Sequence, residues 1–287
     1  MSVIFTDTDC ELWYDKVEEI GVKMISMPYL VNGEERMADC GEGTDFREFY
    51  DNLRAKVQIT TAALNSENYK EIFEPYFAQG EEILYISFST QMSGTFNYMQ
   101  TAIDELSAKY PDARFVRFDT KSICLGAGLQ VYLAVKYFNE GHTIDETVKF
   151  LEELSPKACT AFIVNDLYHL ARGGRLSTVA ATFGSLLDLK PFIKVDDEGK
   201  LSVVKKCRGR KLAINELLKY ITDNIAEPNK YPIVVVNADC PNDSDLLVSK
   251  IKQQYPDAEI WTQIIGPVIA AHCGPDTLGV VFIGNNR

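Results

Sequence analysis

"ILYISFSTQMSGTFNYMQ", residues 83–100, decides how the chain is read. Residues 83–88 are almost continuously apolar, the pattern of a central strand covered on both faces. From Thr95 onward the pattern turns to that of an amphipathic helix, with Ser93 and Gly94 between the two. The segment is therefore a strand-to-helix unit of an α/β fold. A helix that starts near Thr95 leaves backbone N–H groups unpaired, and those groups together with the helix dipole favour an anion. Gly94 lets backbone approach closely, and Ser93 and Thr95 add hydroxyl donors, so a carboxylate or a phosphate fits. A serine or threonine at this place serves equally well as an N-cap.

Working outward, the first half alternates strands and helices in the manner of a parallel sheet flanked by helices. Strands are predicted at 2–6, 22–31, 83–89 and 114–118. Helices are predicted at 44–54, 66–79, 95–109, 122–140 and 144–155. Asn65 or Ser66 can cap the second of these helices, and Thr143 with Glu146 has capping-box spacing for the last. Ser155, Pro156 and Lys157 break the pattern and mark a domain boundary, giving domains of 1–156 and 157–287. Beyond it strands are predicted at 158–164, 191–195, 201–205, 232–237, 258–265 and 278–283. "PFIKVDDEGKLSVVKK" reads as a hairpin turning at Asp197, Glu198 and Gly199, so this second sheet is mixed. Helices at 165–187, 210–226 and 242–254 would cover one of its faces. The expected fold class is α/β, with an N-terminal three-layer α/β/α domain on a parallel sheet and a C-terminal domain on a six-stranded mixed sheet.

The 287 residues, 46% hydrophobic and 24% charged, suffice for two buried cores without staples. The start, "MSVIFTDTDCELW", lacks the basic and long apolar regions of a signal peptide, and no apolar run reaches the roughly 20 residues of a membrane helix. Seven cysteines stand at 10, 40, 124, 159, 207, 240 and 273 with neither CxxC nor zinc spacing, which fits a reducing cytoplasm. A net charge of −12 disfavours nucleic acid as a partner. The charge is uneven, however: residues 172–211 hold ten Lys and Arg against four Asp and Glu, a local +6. Such a stretch attracts a phosphate or an acidic partner, or is a solvated hairpin with lysines on its edges.

Ser93 as a nucleophile would need an activating context. The elbow G-x-S-x-G is absent, since Gln91, Met92, Ser93, Gly94 and Thr95 lack the glycines at that spacing. His272, in "IGPVIAAHCGPDTLGVVF", can still meet Ser93 in space, because triads are defined by geometry. Its imidazole suits a carboxylate equally well, and a core histidine is the alternative. Thr60 and Thr61 in "QITTAALN" precede the helix at 66, as anion ligands or caps. In "LARGGRLS", Gly173 and Gly174 break a helical run between Arg172 and Arg175, whose forks suit phosphate or carboxylate. Neither G-x-x-x-x-G-K-[ST], nor G-x-G-x-x-G after a strand, nor H-E-x-x-H is present.

"FTDTDCEL", "ITTAALN", "ISFSTQMSGTFN", "DTKSICLGAGL", "LARGGRLS", "LLDLKPFI" and "IGPVIAAHCGP", in this order across the whole chain, resemble the DegV family, related to the fatty-acid-binding subunit of bacterial fatty acid kinase. The resemblance implies a fatty acid held between two domains, its carboxylate on Thr61 and Ser93 with His272 alongside and its tail in the interior of one domain. Gly94, Thr95 and Thr60 belong to the same expected carboxylate site. It implies no catalytic residue, metal or cofactor of the chain's own, a bound long-chain acid such as palmitate, and a separate kinase subunit that phosphorylates the carboxylate to an acyl phosphate, a step in phospholipid metabolism. Arg172, Arg175 and Arg208, the last in "KKCRGRK", are the expected kinase or phosphate contacts. The chain departs from the family's T-T-S-Q by carrying Ala62 and Ala63 after Thr61. Phe162, Leu176, Val179, Phe183 and Leu186 are candidates to line the acyl tunnel or to pack the core. Two rival readings are an esterase or thioesterase using Ser93 and His272, and a regulatory binder of another amphiphile.

Overall fold

A computed structural model of the chain describes residues 2–165, 167–175 and 189–287. In the N-terminal part the elements run Ser2–Asp7 (β1), Tyr14–Ile20 (α1), Lys23–Ile25 (β2), Pro28–Val31 (β3), Glu34–Met37 (β4), Phe46–Arg54 (α2), Ile59–Thr61 (β5), Ser66–Phe77 (α3), Glu82–Ser87 (β6), Thr95–Lys109 (α4), Arg114–Asp119 (β7), Leu125–Asn139 (α5) and Ile144–Leu154 (α6). The C-terminal part continues with Ala158–Ile163 (β8), Tyr168–Arg172 (α7), Leu189–Val195 (β9), Leu201–Arg208 (β10), Arg210–Asn224 (α8), Ile233–Asn237 (β11), Pro241–Gln254 (α9), Ile260–Ile264 (β12), Pro267–Cys273 (α10) and Leu278–Ile283 (β13).

β1 and β6 are the inner strands of a parallel sheet ordered β2-β1-β6-β7. Ile83 to Ser87 are all buried, as a strand covered on both faces requires. Helix α3 sets Phe73 edge-on against Phe5, Tyr85 and Phe115 at 5.2, 6.3 and 5.2 Å between ring centroids. Capping boxes open α3, with Asn65 and Asn68, and α6, with Thr143 and Glu146.

The strand expected at 22–31 is two strands. At Ser26 and Met27 the chain leaves the parallel sheet, and the Met27 N–H is taken by Thr8 Oγ1 at 2.9 Å instead of by a strand. β3 then pairs antiparallel with β4 and β5 in a second, three-stranded sheet. The threonines of "QITTAALN" lie in β5, Thr60 opposite Leu30 and Thr61 opposite Tyr29, and not at the helix entrance, which Asn65 caps.

The mixed sheet has the order β10-β9-β8-β13-β11-β12, antiparallel throughout except for the β11–β12 pair. The hairpin forms as read: Asp196 accepts from the N–H groups of Glu198 and Lys200 at 3.0 and 2.9 Å. Helices α8 and α9 cover one face, packing Leu217, Ile221, Leu247 and Ile251 on Val235, Val280 and Phe282. The opposite face turns toward the N-terminal part: Val234, Val236, Val281 and Ile283 join the core built by β1, β6 and α5. α5 is buried nearly throughout and touches β8 and β13, so it lies between the two sheets.

The helix expected at 165–187 ends early. α7 stops at Arg172, and Gly174 turns the chain with φ of +68°. Leu176, Val179, Phe183 and Leu186 lie outside the described residues.

Arg287 joins three segments. Its guanidinium donates to the carbonyls of Ala158 (3.2 Å), Lys121 (2.5 Å), Asp196 (3.3 Å), Thr120 (3.1 Å) and Ser155 (2.7 Å). Beside it, Ser89 Oγ donates to Gly199 O at 2.7 Å, fastening the hairpin turn to the end of β6.

Candidate functional site

The chain segments that follow the C-terminal ends of β1, β6 and β7 face the open side of the mixed sheet, where α/β folds commonly place ligands. They enclose a cavity of about 300 Å³, the lower end of the usual ligand-pocket range. Phe88, Met92 and Ile123 line it from one side and Phe162, Val236 and Val281 from the other. Both parts of the chain supply its walls.

The wall also has polar members: Asp9, Thr61, Ser93, Gly94, Arg175 and His272 line the cavity, as do Thr160 and Thr277, whose hydroxyls are bonded to Ser122 and to Cys273 O. Strand alternation selects Thr61, which turns inward while its neighbour Thr60 is exposed, so Thr60 is not part of the site. Ser93 Oγ accepts from the Thr95 N–H at 3.2 Å, which leaves the serine hydrogen free to donate. Thr95 itself is buried away from the cavity, its hydroxyl 2.7 Å from that of Tyr69, and it drops out of the expected site. Helix α4 is capped by Gly94, without a side-chain bond.

The arginines divide as well. Arg175 donates from Nε to Met92 O at 3.0 Å and from Nη1 to Gly173 O at 2.5 Å, and so braces the loop that carries Ser93. Arg172 is exposed, donates to Ile59 O at 3.1 Å and stands over the Tyr168 ring, outside the cavity wall. Arg208 is exposed at the end of β10 and does not touch the cavity. Neighbouring basic residues are ion-paired, Lys205 with Glu216 and Arg210 with Asp243, as in a solvated hairpin.

His272 ends α10, and Nε2 lies 3.0 Å from Thr61 Oγ1. Close packing of α7 on α10 places it. A Cβ at Gly173 would come within 2.3 Å of His272 Nδ1, and one at Gly274 within 2.5 Å of His169 Cδ2. Each helix therefore carries, just past its end, the glycine that admits the other's imidazole. Burial first, then the charges of Arg175 and Arg172, push the His272 pKa down to about 4. The imidazole is thereby held in its neutral form at pH 7. Nδ1 is buried without a hydrogen-bond partner. A buried N–H without an acceptor is rarer than a lone pair without a donor, so the ring hydrogen belongs on Nε2, pointing at Thr61. Thr61 then accepts from His272 and has its own O–H to give to a ligand.

This arrangement removes both links of a hydrolase triad. His272 Nε2 is engaged by Thr61 and not by Ser93, and Nδ1 has no acid to orient it.

The motif "FTDTDCEL" contributes residues without an expected role. Asp9 is one. Glu11 is another: buried at left-handed φ of +61°, it accepts from Gly266 N–H at 2.7 Å and thereby ties the end of β1 to the start of α10. Burial pushes its pKa up to about 8. The folded state then holds a proton that the unfolded state has released between the ordinary glutamate range and pH 8, so stability falls as pH rises through that window. Glu11→Gln keeps an acceptor for Gly266 and removes the titration. The variant is expected to gain on the order of 3 kcal/mol over the parent at pH 8 and almost nothing at pH 4, measured by urea unfolding at both pH values. An equal effect at both would refute this assignment. Sequence pattern offered no signal for burial of three acids in five residues.

Comparison with known proteins places this architecture. The profile described as "Uncharacterised protein, DegV family" matches residues 1–285. A DegV domain-containing protein of Clostridium perfringens is 37% identical over 285 residues, covering 99% of this chain and 98% of that protein. Among solved structures, a fatty acid binding DegV family protein from Streptococcus agalactiae is similar with a TM-score of 0.86, at 24% identity and over 100% of this chain and 99% of that one. A stearic acid-binding protein from Eubacterium ventriosum is similar with a TM-score of 0.82, at 22% identity and over 98% of both chains. At those identities the structures speak to the fold, which is the α/β arrangement of a parallel and a mixed sheet found here. By the profile match along nearly its whole length, the chain belongs to the DegV family.

Proposed function

We propose that the protein binds a long-chain fatty acid such as palmitate, with the carboxylate at Thr61, Ser93, Gly94 and His272 and the tail along the apolar walls. The observation that carries this reading is a mainly apolar cavity whose wall holds an arginine and two hydroxyls, Thr61 and Ser93, each with a hydrogen left to donate. An amphiphile with one anionic end satisfies both halves of that wall. Each charge-assisted hydrogen bond is worth roughly 1.5–3 kcal/mol and each buried methylene about 0.8 kcal/mol. Relatives described as binding fatty acid and stearic acid support the same class of ligand. Titration calorimetry of lipid-free protein with palmitate is expected to give one equivalent per chain, and no heat or uptake would reject the reading.

In the finer form of the proposal, two domains meeting near Pro156 hold the acid for a separate kinase subunit, which phosphorylates it to an acyl phosphate. A second pocket, lined by Gln91, Gly174 and Lys200, shares Ser93, Gly94 and Arg175 with the cavity and supports such delivery. Cysteines without disulfides support a reducing cytoplasm as the place of action. Palmitate-loaded protein, ATP and a fatty acid kinase catalytic subunit should together yield acyl phosphate trapped by hydroxylamine. Equal yield from palmitate without this protein would contradict presentation.

The helix contact behind His272 offers a further check. Gly173→Ala forces the imidazole off Thr61, since a methyl group at that place would overlap Nδ1. About a tenfold loss of palmitate affinity is expected, the low end of one charge-assisted bond. Affinity within twofold of the parent would show that the Thr61–His272 bond is not used.

A further inference from the structure

Three acids sit within five residues at the end of β1, and their surroundings differ. Asp7 accepts from the Tyr85 hydroxyl and from the Asp9 N–H, and Glu11 accepts from Gly266. Asp9 alone has none: it is 5% exposed, its Oδ1 has no hydrogen-bond partner, and its side chain forms part of the cavity wall. A buried carboxyl with an idle oxygen costs free energy unless something arrives to meet it.

Its place is fixed from two directions. Thr8, next to it, accepts from Met27 N–H, and the following Pro28 O accepts from Ala62 N–H, which sets Asp9 beside the strand end carrying Thr61. On the other side Asp9 feels the charge of Arg175, whose Nε is bonded to Met92 O, next to Ser93. The two are not within ion-pair distance, so Arg175 is not spent on Asp9.

We propose that Asp9 is a further ligand-binding residue of this site: a neutral carboxyl that donates a hydrogen bond from its cavity side to the carboxylate of the bound acid. The inference rests on the fatty-acid reading above. The bond formed is O–H···O⁻ with the proton kept by Asp9, and no covalent bond changes. Burial and the neighbouring Asp7 and Glu11 hold Asp9 well above the ordinary carboxyl range, which keeps it protonated and able to donate. The other titratable and charged groups around it are Tyr69 and Tyr85 from the parallel-sheet side and Arg175 from the loop after α7. His272, Cys124 and Cys273 complete the titratable groups of the cavity wall. Ionised, Asp9 would compete with the ligand for the field of Arg175 and repel it.

The test is palmitate titration of lipid-free parent, Asp9→Ala and Asp9→Asn proteins across pH 6 to 9, with the Thr61→Ala and Ser93→Ala pair as reference. Asp9→Ala is expected to weaken binding about tenfold or more at pH 7, while its thermal stability does not fall because an unsatisfied acid is gone. Asp9→Asn, whose amide keeps a donor, should recover most of the affinity. Its binding is also expected to depend less on pH than that of the parent, because the amide cannot ionise, whereas His272, already neutral, changes no charge across this range. Parent-like affinity in Asp9→Ala, with the reference variants impaired, would overturn the role of Asp9 and leave the fatty-acid reading standing. No palmitate binding by the parent would overturn both.

Discussion

Replacing Arg287 by alanine is expected to cost about 3 kcal/mol of stability, the upper value for a hydrogen bond to a charged group, because several such bonds are lost together. All five guanidinium N–H groups have a carbonyl acceptor, and these carbonyls come from three places: Thr120 and Lys121 after β7, Ser155 and Ala158 around the expected boundary, and Asp196 in the hairpin turn. Burial alone lowers the pKa of Arg287, so the charge is tolerated because the carbonyl dipoles surround it. Alanine removes five donors at once and with them the link among these three segments, although Thr120, Ser155 and Asp196 keep another donor each and Ser89 still holds the hairpin turn. Arg287→Lys should recover only part of the loss, because a lysine presents three donors from one point and cannot span the fork. Urea unfolding followed by far-UV circular dichroism checks this. A loss below about 1 kcal/mol, the value of an ordinary surface contact, would contradict the clasp.

The largest expected effect on function is that of Thr61→Ala combined with Ser93→Ala. Each hydroxyl is positioned by another donor: Thr61 accepts from His272 Nε2 and Ser93 from the Thr95 N–H. Both are thereby left with a hydrogen for the carboxylate, an arrangement that makes them donors of fixed direction. Each single change is expected to weaken palmitate binding about tenfold or more, and the pair about a hundredfold or more. The fold should be little disturbed, since neither side chain fills the core. Retained affinity in the double variant would move the carboxylate elsewhere in the cavity. Thr60→Ala and Thr95→Ala serve as contrasts: the first removes an exposed side chain, and the second breaks the buried bond to Tyr69 and acts on stability.

The parallel sheet was legible because its inner strand is apolar on both faces, and the hairpin because Asp-Asp-Glu-Gly punctuates two alternating runs. Helices with strong caps, at Asn65 and Thr143, were legible too. What escaped was short or set by distant contacts. β5 has three residues and no periodicity to read, yet its alternation decides that Thr61 and not Thr60 enters the site. α10 hides in a segment dense with glycine and proline, and the state of its His272 depends on Gly173 and two arginines about a hundred positions earlier in the chain. Ser93, Thr61 and His272 were nameable because hydroxyls at element ends and a histidine among small residues stand out. Asp9 was not, because an acid in a polar-looking motif gives no sign of being buried until the mixed sheet closes over it.

Fatty acid binding is tested most directly by denaturing purified protein, extracting it with organic solvent and identifying the released lipid by mass spectrometry. One long-chain fatty acid per chain is the expected result. An extract free of fatty acid, from protein that also takes up no palmitate when offered it, would contradict the proposed function.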